Sequence, residues 1–414
     1  MKWQYWFHSN GFHITTIQRP GSQLVAYRVC IKCGSRYDGN IKGLAHLVEH
    51  MLLNGTRNQS INEIDKKITG IGGVLNAQTG KDYLSLYCVV PKHHWQNGID
   101  LLMDIIVHPL FDSINLIKEK KVIREEINLS KDSGRQIYSF FSDLLWPNNP
   151  LHNPILGEFD QIKNIDCEVL EKYYKYNFTT GNISMSACGD VDPNKIIDRV
   201  QILLKDLPIG EKKHPEIINE AKSEKPRFSH RVYQTNQVYL MLGMTTVGIT
   251  HPDRISLIVL ERILGMGLSA RLPNRLREEM QLCYSVSTSL TCYEDVGYFA
   301  VNTSSLRENV KHINEVILNE FMYLLKHGVS TNEIHSAKEN YIGLLMRRYE
   351  TNLALASIAA KEDLLDCTVP LSTTISRIQA VKRDDVLEVA AKYLTNESYV
   401  QVTIGPYWND NNKI

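Results

Sequence analysis

The sequence predicts an α/β protein made of two homologous domains, on three observations. Strand-like and helix-like patterns alternate along the chain, a charged stretch poor in apolar anchors divides it near the middle, and the order of elements before that stretch recurs after it. The length fits this division: 414 residues exceed one ordinary core, and at about 150 residues per domain they suggest two. With 43% hydrophobic and 22% charged residues, the composition is that of a folded globular protein.

In the first half, residues 12–18 and 24–33 read as strands, followed by turn signals at Gly34-Ser35 and Asp38-Gly39-Asn40. A helix is expected from about 42 to 53 and another over 61–69. A glycine-rich break at 70–73 follows, and then an alternating run, 83–90, closed by Pro91. From 93 to 146 apolar residues recur at helical spacing with few breakers, which predicts two or three helices. The stretch 208–230 carries Gly210, Pro215 and Pro226 among many Glu and Lys and reads as a linker, giving domains 1–207 and 231–414. Beyond it come a strand-like run, 237–245, then Gly248, then an apolar helix over about 253–264. Laid beneath residues 45–52, residues 257–264 keep the glutamate and the apolar frame but lose both histidines, as a diverged duplication would.

Several classes are disfavoured. Lys plus Arg and Asp plus Glu number 46 each, so no whole-molecule field draws the chain to nucleic acid or to an anionic membrane. Apolar runs fall well short of the roughly 20 residues that span a bilayer. The opening residues have neither a continuous apolar core nor an Arg-rich transit pattern, so a cytoplasmic location is expected. Eight cysteines scattered over a long chain suit a reducing compartment. The close pair Cys30 and Cys33 lies in a strand-like run, where an odd spacing sends the side chains to opposite faces and argues against a joint metal or redox role.

The sharpest feature is His46-Leu47-Val48-Glu49-His50. On a helix, positions i and i+4 share a face, so both imidazoles can reach one metal ion, and Glu49 on the adjoining flank could hold a water beside it. Chance supplies roughly 0.03 such matches in a chain of this composition. The bland alternative is a solvated helix face. The surrounding Leu44, Ala45, Leu47, Val48, Met51, Leu52 and Leu53 count against it, because buried polar groups need partners. A catalytic zinc ordinarily has three protein ligands and one open position, so a third ligand is required.

The motif resembles that of the pitrilysin, insulin-degrading-enzyme and mitochondrial-processing-peptidase family, whose H-x-x-E-H reverses the commoner zincin order. The resemblance extends through Gly34-Ser35, Gly43 to Met51, Gly55-Thr56, Asn76-Ala77-Gln78-Thr79 and residues 122–127, and the length is like that of the family's small-subunit branch. It implies two domains, each a mainly antiparallel sheet packed with helices, forming a clamshell. It further implies Zn²⁺ held by His46, His50 and Glu126, with Glu119, two helical turns before Glu126, orienting a ligand or the substrate. Glu125 is the rival third ligand, and a merely charged helix flank is the bland reading of all three glutamates. In the second half, Arg277 and Tyr284 have the spacing of a pair that in active relatives reaches the substrate carbonyl, and their donors could stabilise an oxyanion. Asn76 and Ala77 resemble the edge strand on which relatives bind substrate as an added strand, a mode that favours extended peptides.

The implied activity is a zinc-dependent endopeptidase acting on oligopeptides or unstructured segments, leader peptides among them, with Glu49 as proton carrier. The resemblance also implies a homodimer or a heterodimer with a homologous subunit. The alternative from another class is a structural or partner subunit active only beside a second chain. Gly265-Met266-Gly267 lacks the residues of a phosphate loop and reads as a flexible loop. His93, His94, His152, His214 and His230 lack ligand spacing and read as surface or capping residues.

Overall fold

The computed structural model describes residues 2–132, 136–216, 225–395 and 398–406. Part of the 208–230 linker, residues 217–224, lies outside them. The remaining part ends in a strand rather than in irregular chain, because residues 227–230 belong to the first strand of the second sheet.

The first sheet contains β1 (Lys2–Phe7), β2 (His13–Gln18), β3 (Leu24–Ile31), β4 (Val74–Thr79), β5 (Leu84–Pro91) and β6 (Ile183–Gly189), in the order β1-β2-β6-β3-β5-β4. The second contains β7 (Arg227–Val232), β8 (Val238–Val247), β9 (Ser285–Cys292), β10 (Val296–Ser305) and β11 (Val400–Gly405), in the order β7-β11-β8-β10-β9. In each sheet a single pair is parallel, β2 with β6 and β7 with β11, and every other pairing is antiparallel. Without β1, the two orders and directions match strand for strand. A topology this particular arising twice in one chain supports the duplication visible at 45–52 and 257–264.

Strand β3 shows how the sheet is filled from both sides. Val25, Tyr27, Val29 and Ile31 enter one large apolar cluster, together with Leu47, Val48 and Met51 from the motif helix Leu44–Leu53 and Leu102, Ile105 and Ile106 from the helix Trp95–Val107. On the opposite face Ala26 and Cys30 meet Leu355, Ala356, Ala359 and Ala360 of the helix Asn352–Leu364. Small side chains on both partners let that helix lie close over β3 and β6. Cys30 and Cys33 join different clusters, on opposite faces of the sheet.

The helix Asn352–Leu364 comes from the second half of the sequence but packs on the first sheet, where Asp363 accepts from the Ser184 hydroxyl and Asn352 Nδ2 donates to the Leu24 carbonyl at 2.7 Å. Conversely, Ile137 and Phe141 of the helix Ile137–Leu145 pack against Val400, Val402 and Ile404 of the second sheet. Over the described residues, one compact unit comprises Met1–Leu129, Asn153–Glu216 and Arg347–Thr368, and the other Ser130–His152, Ile217–Met346 and Val369–Ile414. A single cut at the linker follows chain order, whereas packing exchanges one segment in each direction.

Candidate metal centre

The motif helix is embedded nearly all round, with Leu44, Ala45, His46, Leu47, Val48, Met51 and Leu52 buried. Its first turn would leave backbone N–H groups unpaired inside the protein, and Gly43 at its start offers no side chain to cap them. Asp38 supplies the cap from the preceding turn: its carboxylate accepts from Gly43 N–H and Ala45 N–H, each at 2.8 Å. Burial pushes the Asp38 carboxyl up to about 7, against the backbone donors of Ala45, Gly43 and Leu44, which pull it down. Gly43 has φ 91°, and a Cβ there would come within 2.7 Å of the Gly157 Cα, so this entry needs glycine for both reasons. Replacing Asp38 by alanine should cost about 1–2 kcal/mol of stability. The check is a fall in the urea midpoint at constant slope, smaller for Asp38→Asn, which keeps one acceptor.

His46 and His50 stack edge to face, 4.6 Å between ring centres. The long helix Ser113–Asp132 lies across from them, anchored through the buried Leu116 and Ile123. That anchoring turns the stripe of Glu119 and Glu126 toward the histidines. The Nε2 atoms of His46 and His50 each lie 3.6 Å from Glu126 Oε2. Among the described residues, His46, His50 and Glu126 form the one group of potential ligands whose donor atoms all fall within 4.8 Å of one another. Ligand atoms about a tetrahedral zinc stand about 3.4 Å apart, as bonds near 2.1 Å require, so the spacing fits such an ion. Glu125 instead points away, 63% exposed and 3.5 Å from Arg124.

The protonation state of His46 suits ligation. Burial, and then the neighbouring His50, push His46 down to about 3, so its imidazole stands neutral with a free lone pair. Burial would lower His50 as well, but the hydrogen bond to Glu119 and the charges of Glu126, Glu119 and Glu49 outweigh it. His50 Nδ1 lies 2.8 Å from Glu119 Oε2, which fixes the ring with Nε2 toward Glu126. Substituting Glu119 by glutamine should weaken zinc affinity roughly 10- to 100-fold, measurable by competition with a chromogenic chelator.

Glu49 is half-buried on the flank of the same helix, and burial raises its carboxyl pKa, opposed by hydrogen bonds from Thr79. Thr79 ends β4, which among the described residues is the outermost strand of its sheet and pairs with β5 alone. Asn76 is exposed on that strand while Ala77 is buried, and Asn76 Oδ1 accepts from the Ala77 N–H at 2.8 Å. In the second unit, Arg277 lies in the wide helical turn Asn274–Glu279, its guanidinium 5.6 Å from the centre of the Tyr284 ring, and Tyr284 is 79% exposed. The pair is thus held together with the phenol open to solvent. Sequence reasoning passed over the roles of Asp38 and Thr79. Asp38 precedes the helix by more than ordinary capping spacing, and Thr79 meets Glu49 only through the packing of a strand on a helix.

A helix-borne His-x-x-Glu-His joined by a carboxylate from a second helix is the donor set of an inverted-zincin metal centre. Residues 13–158, which contain it, match the family model described as "Insulinase (Peptidase family M16)", and residues 164–341 match "Peptidase M16 inactive domain". A Bacillus subtilis protein called "uncharacterized zinc protease YmxG" is 30% identical over 407 residues, 97% of each chain. A Rickettsia felis protein called "uncharacterized zinc protease" is 26% identical over 96% of each. The chain belongs to peptidase family M16. Two solved structures share its fold with a TM-score of 0.92 at 20% identity: a peptidase M16 inactive domain from Pseudomonas fluorescens, covering 100% of both chains, and a protease from Helicobacter pylori, covering 98% and 99%. Among the described residues no helix is long and apolar enough to cross a membrane.

Proposed function

We propose that this protein is a zinc-dependent endopeptidase that cleaves oligopeptides or unstructured segments, leader peptides among them. The convergence of His46, His50 and Glu126 within 4.8 Å, beside Glu49, carries the reading. Bound there, a zinc ion supplies Lewis-acid polarisation of the scissile carbonyl and acidifies a water. His46 and His50 hold the ion through Nε2, and Glu126 adds the carboxylate. Glu119 keeps the His50 ring in place. Glu49 takes up the proton at its carboxylate and delivers it to the nitrogen of the leaving amine. The outer edge of β4, at Asn76 and Ala77, pairs with an extended peptide.

Arg277 and Tyr284 are assigned as donors to the developing oxyanion, a role supported by their seven-residue spacing, their mutual contact and the exposed phenol. Tyr284→Phe should then lower kcat about 100-fold with zinc content unchanged, read from steady-state kinetics with metal analysis alongside. We further assign pairing with a second copy or a homologous subunit, and action in the cytoplasm, which suits eight cysteines scattered over a long chain.

The test is cleavage of an unstructured peptide library by the purified chain, with metal content measured in parallel and chelator-treated samples as controls. Near one zinc per chain together with chelator-sensitive cleavage supports the peptidase. The second reading, a partner subunit, draws on the "inactive domain" match. That match covers residues 164–341 and so lies outside 46–126, where the ligand cluster sits. Zinc without cleavage would favour it, and neither zinc nor cleavage would sink the catalytic reading.

A further inference from the structure

The two halves share a contact that the metal chemistry does not require. Thr79, on edge strand β4, donates its hydroxyl to Glu49 Oε2. In the second unit, Glu261 occupies the place of Glu49 in the overlay of residues 45–52 and 257–264. It is 5% exposed, and its Oε1 accepts from the Thr288 hydroxyl at 2.9 Å. Thr288 lies on β9, the edge strand at the corresponding end of the second sheet. Ile258 and Arg262 stand at the places of His46 and His50 there, so this glutamate–threonine tie persists where no metal ligands remain. It is a device of the repeated plan that fastens the helix following the third strand to the sheet's edge.

In the first unit the fastened glutamate is the proton carrier, and the strand that fastens it is the one whose free edge is available to a peptide. We propose that Thr79 is a positioning residue for catalysis: it fixes the Glu49 carboxylate relative to β4, so that a peptide paired with that strand presents its scissile bond in register with the base. This rests on the peptidase reading above and adds a specificity consequence, since substrates long enough to pair with β4 gain most from a base fixed to it. A glutamate carboxylate, on three rotatable side-chain bonds, samples several orientations. A donor anchored in the sheet restricts it to one, and misplacement of about 1 Å in a catalytic group can cost a hundredfold in rate.

The experiment compares the full-length wild type with Thr79→Val, Thr79→Ser and Thr288→Val, measuring kcat and KM on an extended fluorogenic peptide, zinc content and Tm, with a crystal structure of Thr79→Val. Thr79→Val should lose about ten- to a hundredfold in kcat, with KM and zinc near the wild-type values. Thr79→Ser should recover to within a few-fold. Thr288→Val, which breaks the equivalent tie, should lower Tm and leave kcat unchanged. The idea is overturned if Thr79→Val keeps its kcat, if its activity falls only in step with zinc, if serine fails to rescue, or if Thr288→Val reduces kcat as much. A wild type that cleaves nothing would sink the peptidase reading instead. The crystal structure would then still decide this proposal, which predicts a reoriented Glu49 carboxylate in Thr79→Val and fails if the carboxylate has not moved.

Discussion

Glu49→Gln should abolish peptide cleavage while leaving zinc in place. Glutamine has nearly the same shape, and it can still accept from Thr79, so the local packing about the motif helix is preserved. It cannot take up a proton near neutral pH. The loss belongs to the proton-transfer step, for which removal of a positioned base typically costs about 10²- to 10⁴-fold. Glu49 is not among the three groups whose donor atoms converge, so metal content should remain near one per chain. The measurement is single-turnover cleavage with metal analysis on the same samples. Substantial activity in the variant would remove Glu49 from the reaction, and parallel loss of zinc would show that the carboxylate holds the ion rather than the proton.

Glu126→Gln and Glu125→Gln should behave in opposite ways although the two residues are adjacent. The Glu126 carboxylate lies 3.6 Å from both imidazole nitrogens, and its loss removes one of the three converging groups together with the only negative charge among them. Zinc affinity should fall by more than the roughly 10- to 100-fold that removing an outer partner costs, and activity should fall with it. Glu125 is exposed beside Arg124 and touches no ligand, so its neutralisation should change neither. Chelator competition on both variants makes the comparison direct. Equal losses would mean that the charge of the helix matters rather than a particular ligand.

These contrasts also show how far the linear sequence could be followed. The pairing of His46 with His50 was readable without a fold, because helical periodicity alone brings i and i+4 together. The same periodicity linked Glu119 to Glu126, but their arrival beside the histidines depends on Leu116 and Ile123 seating the helix Ser113–Asp132 against the core. In the sequence alone, that step rests on family resemblance. Strands β1, β6, β9, β10 and β11 are not expected from the sequence. β6 shows why: its Ile183-Ser184-Met185-Ser186 alternation mimics a half-exposed strand or a loop, whereas it lies buried along its whole length between β2 and β3. Its serines face the helix Asn352–Leu364, where Ser184 meets Asp363 and Ser186 meets the Ala356 carbonyl.

The sequence by itself determined which half carries the His-x-x-Glu-His pattern, which residues on the motif helix share a face, and that the chain repeats one plan twice. Each follows from short-range order, since backbone hydrogen bonding sets the helical and strand periods within a few residues. The tertiary structure decided that Asp38 caps the motif helix, that Thr79 grips Glu49, that Glu126 and not Glu125 joins the histidines, and that the helices Ile137–Leu145 and Asn352–Leu364 each pack on the sheet built mainly from the other half. Those contacts join residues from 5 to more than 300 positions apart. They are fixed by which apolar faces meet when the core closes, and no local period encodes that choice.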